Sequence, residues 1–232
     1  MSYEAVFVDL DDTLYPYPEC NEAGKRAAWE TARELGYEWS RDDFEEVYQA
    51  GRREVKRELA GTASAHERFL YFKRAVQMHA GTHSARDALA LGEAYWETYV
   101  EEMELFDGVV ETLESLQASG VDVAIVSNLT TRIQLKKIER LGIEEHVDLV
   151  VTSEETGREK PSSVMFTLPI AQLDVRSSEV VMVGDSPTAD IAGANALGLT
   201  TVLFNSDATD LDEHQRPDHR IEEFGELTGL VH

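Results

Sequence analysis

Short apolar runs along the chain alternate with segments whose apolar residues recur at helical spacing. Each run is four to six residues long and ends in polar residues, which is typical of a strand buried on both faces of a parallel sheet. The five predicted strands are 5–8, 121–126, 147–151, 180–183 and 200–204. The helical segments 109–119 and 189–197 lie between strands and are each followed by a glycine. We therefore predict an α/β fold with a doubly wound, mainly parallel sheet.

Residues 16–103 break this alternation and contain no run that is typical of a strand. Their apolar positions follow a helical period in four segments. These segments are 22–35, 41–59, 65–79 and 85–103. We predict a helical domain, residues 16–103, inserted into a core domain formed by 1–15 and 104–232. After Asn205 we expect an acidic, irregular tail until a terminal element near 222–230.

The charge balance narrows the possible partners. The chain has 45 Asp and Glu against 21 Lys and Arg, a net charge of −24, and such a surface repels nucleic acid and anionic membranes. No apolar run approaches the roughly 20 residues of a membrane helix, and the N-terminal segment lacks a signal-peptide pattern. A single cysteine, Cys20, excludes an intramolecular disulfide. We expect a cytoplasmic protein that acts on small molecules, with monomer and homodimer both open.

A surface rich in carboxylates and poor in lysine is typical of proteins that work in concentrated salt, where cations screen the self-repulsion. We therefore predict a halophilic protein whose thermal unfolding midpoint rises between low and molar KCl. A midpoint that stays constant or falls over that range would leave an ordinary acidic protein as the better interpretation. Scanning calorimetry across a KCl series measures this directly.

Two groups of aspartates directly follow predicted strands. Asp9-Leu10-Asp11-Asp12-Thr13 follows the first strand, and in extended chain Asp9 and Asp11 point to the same side. Gly184-Asp185-Ser186-Pro187-Thr188-Ala189-Asp190 follows the fourth strand. Open α/β sheets bind ligands at the carboxyl ends of their strands, so these acids are candidates for a common site. Chance occurrence in an acidic chain is the alternative for the first group, and Asp190 also suits the first turn of a helix.

Two further segments carry groups that bind phosphate. Ser127-Asn128 ends the second strand, where a hydroxyl, an amide and the amides of the next helix can bind a phosphate oxygen. Lys160 precedes Pro161 in a loop, which restricts its backbone to extended geometry. Its ammonium can neutralise the charge of a carboxylate and of a phosphate. Taken alone, Ser-Asn is also a common turn pair.

The order of these segments resembles the four signature motifs of the haloacid dehalogenase superfamily. The motifs are DLDDTL, VSN, the lysine of KP and GDSPTAD, and Phe106-Asp107-Gly108 and Phe166 match as well. The resemblance spans residues 4–15 and 104–206, whereas the insert matches only in its position and helical character. It implies a Rossmann-like catalytic core with an α-helical cap domain that closes over the site and determines the substrate.

The resemblance also implies a Mg²⁺-dependent phosphatase that acts on small phosphorylated metabolites. Asp9 is then the nucleophile that becomes an aspartyl phosphate, and Asp11 is the acid that protonates the leaving alcohol and the base that activates water. Mg²⁺ is expected on the side chains of Asp9 and Asp185 and on the backbone carbonyl of Asp11.

The remaining motif residues receive binding and supporting roles from the same resemblance. Ser127, Asn128 and Lys160 are expected to bind the phosphoryl oxygens. Thr13 is expected to support the nucleophile loop, and Asp190 to steady the metal site.

Other chemistries of the superfamily remain open from the sequence. A 2-haloacid dehalogenase lacks the acid at the position of Asp11, which favours phosphoryl transfer here. A phosphomutase carries the same motifs and differs in how well the cap excludes water. A binding protein with a vestigial site is disfavoured because all the required side chains are present.

Overall fold

The computed structural model describes residues 3–231, which divide into two compact units. One unit contains residues 3–16 and 104–231, and the other is Tyr17–Met103. The first unit is built on a six-stranded sheet with the order β3-β2-β1-β4-β5-β6, in which every pairing is parallel. The strands are β1 (Ala5–Val8), β2 (Asp122–Ser127), β3 (Leu149–Thr152), β4 (Val180–Gly184), β5 (Thr200–Phe204) and β6 (His219–Ile221). The predicted α/β class is confirmed.

Helices connect the strands of the sheet unit and form the whole of the second unit. In chain order they are α1 (Tyr17–Glu34), α2 (Arg41–Glu58), α3 (Arg68–Ala80), α4 (Ala85–Glu101), α5 (Val109–Ala118), α6 (Thr131–Leu141), α7 (Ser153–Thr156), α8 (Val164–Leu173), α9 (Ala192–Asn195) and α10 (Thr228–Val231). Short 3₁₀ segments occupy several of the connections. No helix within residues 3–231 is both long enough and apolar enough to cross a membrane.

The central strands are buried because apolar side chains cover both of their faces. All residues of β1 and β4 are buried, as expected for strands with helices on both sides. On one face, Phe7 and Met182 pack with Met165 and Phe166 of α8 and with Ala194 of α9. This apolar core fixes β1 next to β4, with Val8 paired to Val183, and so determines which polar residues meet at the strand ends.

Two features of the sheet unit differ from the sequence prediction. The tail is not irregular throughout, because β6 pairs with β5, with Val202 opposite His219. The pattern gave no signal there, since His219 and Arg220 are polar and exposed on this edge strand. The helix predicted at 189–197 is instead a π-helical turn, Pro187–Ile191, followed by the single turn α9.

The helical unit packs α1 on α4 and α2 on α3 around an aromatic interior. Ring pairs such as Tyr48–Phe72 and Phe72–Tyr95 lie with centroids 5.5 and 6.0 Å apart. Arg68 is buried among these rings and donates hydrogen bonds to the hydroxyls of Tyr95 and Tyr17. The aromatic residues therefore form a core of this unit, with a buried guanidinium at its centre.

Candidate active site

The nucleophile candidate lies at the carboxyl end of β1, between two neighbouring strands. The amide of Asp9 donates to the carbonyl of Val183, 2.9 Å away, so the pairing of β1 with β4 extends as far as Asp9. Asp185 directly follows β4, which places it beyond the same edge of the sheet. Parallel pairing of two strands therefore brings together two acids that are 176 positions apart in the chain.

Three carboxylates gather at this edge. One oxygen each from Asp9, Asp185 and Asp190 lies within 4.8 Å of the others. Asp9 and Asp190 are buried, and Asp185 is half-buried. A serine–aspartate turn holds Asp190, whose Oδ2 accepts from the amide of Ser186 at 3.0 Å. Gly184 allows this arrangement, because a Cβ there would overlap the Asp190 side chain.

Lys160 is the cation of this cluster. Its Nζ lies 2.5 Å from Asp9 Oδ1 and 2.7 Å from Asp190 Oδ1, and it donates to the carbonyl of Val126 at 2.7 Å. The contacts with Asp9 and Val126 are hydrogen bonds, and the contact with Asp190 is an ion pair. Only 4% of Lys160 is exposed, so the ion pairs are shielded from solvent. The lysine therefore orients the Asp9 carboxylate and ties it to Asp190.

The crowding of acids changes their protonation. Burial raises the pKa of Asp9 from 3.8 to about 7; Lys160 opposes the rise, whereas Asp190 and Asp11 add to it. Burial also raises the pKa of Asp185 to about 8, with further contributions from Asp9 and Asp190. Burial acts to lower the pKa of Lys160, but the adjacent Asp190 and Asp9 carboxylates outweigh it and raise this pKa.

These residues fit a divalent-cation site. Three carboxylates face one ammonium. The pKa values of Asp9 and Asp185 are raised first by burial and further by the neighbouring carboxylates, whose combined charge Lys160 does not offset. Carboxylate oxygens are the donors that hard divalent cations prefer. A bound dication would remove the repulsion that now favours protonation of two of the acids.

The side chain of Asp11 points to different partners. Its Oδ1 lies 2.5 Å from the ammonium of Lys137 and also accepts a hydrogen bond from the Tyr15 hydroxyl. The carboxylate group that joins Asp9 and Asp185 is thus that of Asp190. This arrangement is compatible with the two roles expected of Asp11, in which its backbone carbonyl binds the metal and its side chain transfers the proton.

Ser127 lies at the end of β2 with its hydroxyl engaged by a neighbouring helix. Its Oγ accepts a hydrogen bond of 2.5 Å from Nε2 of Gln134, and both residues are buried. Asn128 uses its side chain on the lysine loop: its Oδ1 accepts from the amide of Lys160 at 2.7 Å, and its Nδ2 donates to the Lys160 carbonyl. The side chain expected to bind phosphate therefore holds the backbone of Lys160.

Backbone hydrogen bonds hold the loop that follows Asp9, from the amide of Leu14 to the carbonyl of Leu10 and from the amide of Asp12 to the carbonyl of Tyr15. Thr13 in this loop is fully buried, and its hydroxyl has no hydrogen-bond partner within residues 3–231. The supporting role expected of Thr13 stays a prediction.

Sequence reasoning missed Gln134, Lys137 and Tyr15. A signal for the first two was present, because both fall on the apolar face of α6, adjacent to Ile133 and Ile138. A lysine on such a face, in a chain poor in lysine, requires a buried partner. Tyr15 carried no such signal, because its position depends on the turn of the loop.

Comparison with known proteins defines the class of this chain. Residues 3–198, which are most of the chain, match the family model of haloacid dehalogenase-like hydrolases. The protein therefore belongs to the haloacid dehalogenase-like hydrolase family, and within it the chain is a phosphatase. The resemblance stated from the four motifs is confirmed.

Individual relatives show which phosphatases of the family this chain is similar to. The chain is 62% identical to a ribulose-1,5-bisphosphate 5-phosphatase of Halopiger xanaduensis, with 98% of both chains covered. It is 31% identical to a glyceraldehyde 3-phosphate phosphatase of Methanopyrus kandleri, covering 98% of this chain and 97% of the relative. The crystal structure of a HAD phosphatase from Thermococcus onnurineus superimposes with a TM-score of 0.76 at 24% identity, covering 100% and 98% of the two chains. This last likeness concerns the fold alone.

Proposed function

We propose that this protein is a Mg²⁺-dependent sugar-phosphate phosphatase whose preferred substrate is a pentulose bisphosphate of the ribulose 1,5-bisphosphate type. The observation that carries the substrate is the 62% identity, across nearly the whole of both chains, to a ribulose-1,5-bisphosphate 5-phosphatase. The more distant relatives are named for a triose phosphate. Both named substrates are small sugar phosphates, and they fall within the broader class of small phosphorylated metabolites that the family resemblance implied.

The proposed chemistry begins at Asp9. One carboxylate oxygen attacks phosphorus, the bond from phosphorus to the sugar oxygen breaks, and Asp11 gives a proton to the departing alcohol. Water then attacks the aspartyl phosphate while Asp11 takes a proton from it, releasing phosphate and restoring Asp9. Asp11 therefore ends each cycle in the protonation state in which it began.

The surrounding residues prepare Asp9 for this attack. Lys160 holds the carboxylate through its 2.5 Å contact and adds positive charge where the phosphoryl group arrives. The Ser127 hydroxyl is the proposed donor to a phosphoryl oxygen. Mg²⁺, held by the side chains of Asp9 and Asp185 and the backbone carbonyl of Asp11, would neutralise the charge of nucleophile and phosphate. Asp190 steadies Lys160 from the other side.

A direct assay tests the substrate. The protein is incubated with Mg²⁺ and ribulose 1,5-bisphosphate, and phosphate release is followed together with ³¹P NMR of the sugar product. We expect one equivalent of phosphate and accumulation of ribulose 1-phosphate, with a kcat/KM well above that for glyceraldehyde 3-phosphate. The inverse preference would contradict the substrate assignment, and isomerisation without free phosphate would indicate a mutase. Chloride release from a chlorinated short acid, without phosphatase activity, would indicate a dehalogenase.

A further inference from the structure

Helix α6 presents two polar side chains to the interior of the sheet unit. Gln134 is fully buried and Lys137 is 1% exposed, and they are three residues apart, so they lie on the same face of the helix. Burying an ammonium group is costly unless a charged or hydrogen-bonding partner compensates it. Lys136, the residue that precedes Lys137, is exposed. The buried position of Lys137 on α6 therefore requires a specific charged partner within reach of its ammonium.

That partner is the acid that we propose as the proton donor. Lys137 Nζ lies 2.5 Å from Asp11 Oδ1 and 5.6 Å from the centre of the Tyr15 ring. The Tyr15 hydroxyl donates to the same oxygen. Two donors that converge on one oxygen restrict the rotation of the carboxyl group. Asp11 is thus oriented by groups that lie outside the carboxylate cluster of Asp9, Asp185 and Asp190.

The second polar residue of α6 acts on the proposed phosphate-binding hydroxyl. Gln134 Nε2 donates to Ser127 Oγ at 2.5 Å, and within residues 3–231 the Gln134 Oε1 has no hydrogen-bond partner. In this orientation the Ser127 oxygen accepts from the amide, so its own hydrogen must point elsewhere. A hydroxyl held as an acceptor on one side is directed to donate on the other, as binding of a phosphoryl oxygen requires.

We propose that α6 is a positioning element that serves both halves of the site: Lys137 orients Asp11 for proton transfer to the leaving group, and Gln134 orients Ser127 toward the phosphoryl group. This inference rests on the proposed function, in which Asp11 and Ser127 have those roles. Lys137 and Gln134 are positioning residues, since each acts through another side chain. Because both lie on one rigid helix, the proton donor and the phosphate-binding hydroxyl keep a fixed separation.

Lys137→Met tests whether Lys137 orients Asp11, by comparing two substrates whose leaving groups differ in their need for a proton. A sugar alkoxide needs a proton as it departs, whereas 4-nitrophenolate departs without one, and kcat/KM reports the steps up to departure. We expect kcat/KM to fall about 100-fold for the sugar phosphate and by less than about tenfold for 4-nitrophenyl phosphate. Lys137→Arg, which keeps the charge, is expected to recover much of the loss. Lys136→Met, the matched control on the exposed face, is expected to behave as wild type.

Equal losses on the two substrates would show a merely structural role for Lys137, and no loss on either would show no role; both results overturn the inference. If Lys137→Met does not fold, Lys137→Gln carries the same comparison. Asp11→Asn separates this inference from the proposed function. Wild-type kcat/KM in Asp11→Asn refutes the proposed role of Asp11 itself. A loss in Asp11→Asn combined with an active Lys137→Met refutes the positioning role alone.

Gln134→Leu tests whether Gln134 orients Ser127 toward the phosphoryl group, with inorganic phosphate as the probe. Loss of one orienting hydrogen bond is expected to weaken competitive inhibition by phosphate about fivefold, with a similar rise in KM. The effect should vanish in a Ser127→Ala background, because Gln134 then has no hydroxyl to orient. An undiminished effect in that background, or unchanged inhibition in Gln134→Leu, overturns the role of Gln134.

Discussion

Replacing Asp9 by asparagine is expected to abolish phosphatase activity while leaving the fold intact. The amide is a poor nucleophile, so turnover should fall by about four orders of magnitude or more. The acid lies 2.5 Å from Lys160 and is crowded by Asp185 and Asp190, so removing its charge also relieves repulsion. We therefore expect the variant, in chelator at pH 8, to unfold at the same temperature as wild type or higher. Phosphate release and calorimetry give the two readouts.

Asp12→Asn is the matched control for this variant. Asp12 lies three positions away in the same loop, at φ +59°, a conformation that asparagine adopts readily. It removes the same charge without touching the nucleophile, so activity should remain within a few-fold of wild type. Acid-quenched wild type should additionally carry one phosphoryl group on the peptide containing Asp9. Near wild-type turnover in Asp9→Asn would falsify the role of Asp9.

In the absence of a divalent cation, the free energy of unfolding is expected to fall as the pH rises from about 6 to about 8.5. The pKa values of Asp9 and Asp185 in the folded protein, about 7 and about 8, exceed their ordinary value of 3.8. The folded state therefore binds protons more tightly than the unfolded state, and this stabilisation is lost as pH rises through the folded pKa values. The two coupled carboxyls together contribute on the order of a few kcal/mol.

Mg²⁺ should reverse this trend, because a bound dication stabilises the ionised carboxylates. Urea unfolding at constant ionic strength, in EDTA and in excess Mg²⁺, is expected to show a gap between the two curves that widens with pH. Asp185→Asn should flatten the EDTA curve and shrink the gap. Glu139→Gln, which removes one exposed charge of α6, should change neither. Parallel curves in EDTA and Mg²⁺ would remove the basis for a metal site at these acids.

The acids at the strand ends are the part of the site that the sequence predicts most directly. Apolar runs of four to six residues marked the strands, and the residues after them had to lie at one edge of a parallel sheet. The sequence alone therefore predicts that Asp9 and Asp185 lie at one site. Asp190 was expected in a supporting position, and the structure places its carboxylate in the cluster, against the backbone of Gly184.

The partners of the polar residues on α6 could not be predicted from the sequence. Helical period places Gln134 and Lys137 on a buried face, but it does not say which partner each will meet. The contacts of Lys137 with Asp11 and of Gln134 with Ser127 depend on how α6 packs across the strand ends. Similarly, the hydrogen bond from the Lys160 amide to the Asn128 side chain joins two loops whose proximity the sequence does not show.

The order of motifs and the alternation of strands and helices are local properties of spacing and side-chain type. They were sufficient to predict the fold class, the family and the proximity of Asp9 to Asp185. The pairing of side chains is not local. It depends on strand register and helix packing, which join positions more than a hundred residues apart, as they do for Lys137 and Asp11. For that reason the sequence alone shows which reactive side chains are present. Only the tertiary structure determines which neighbouring groups contact those side chains.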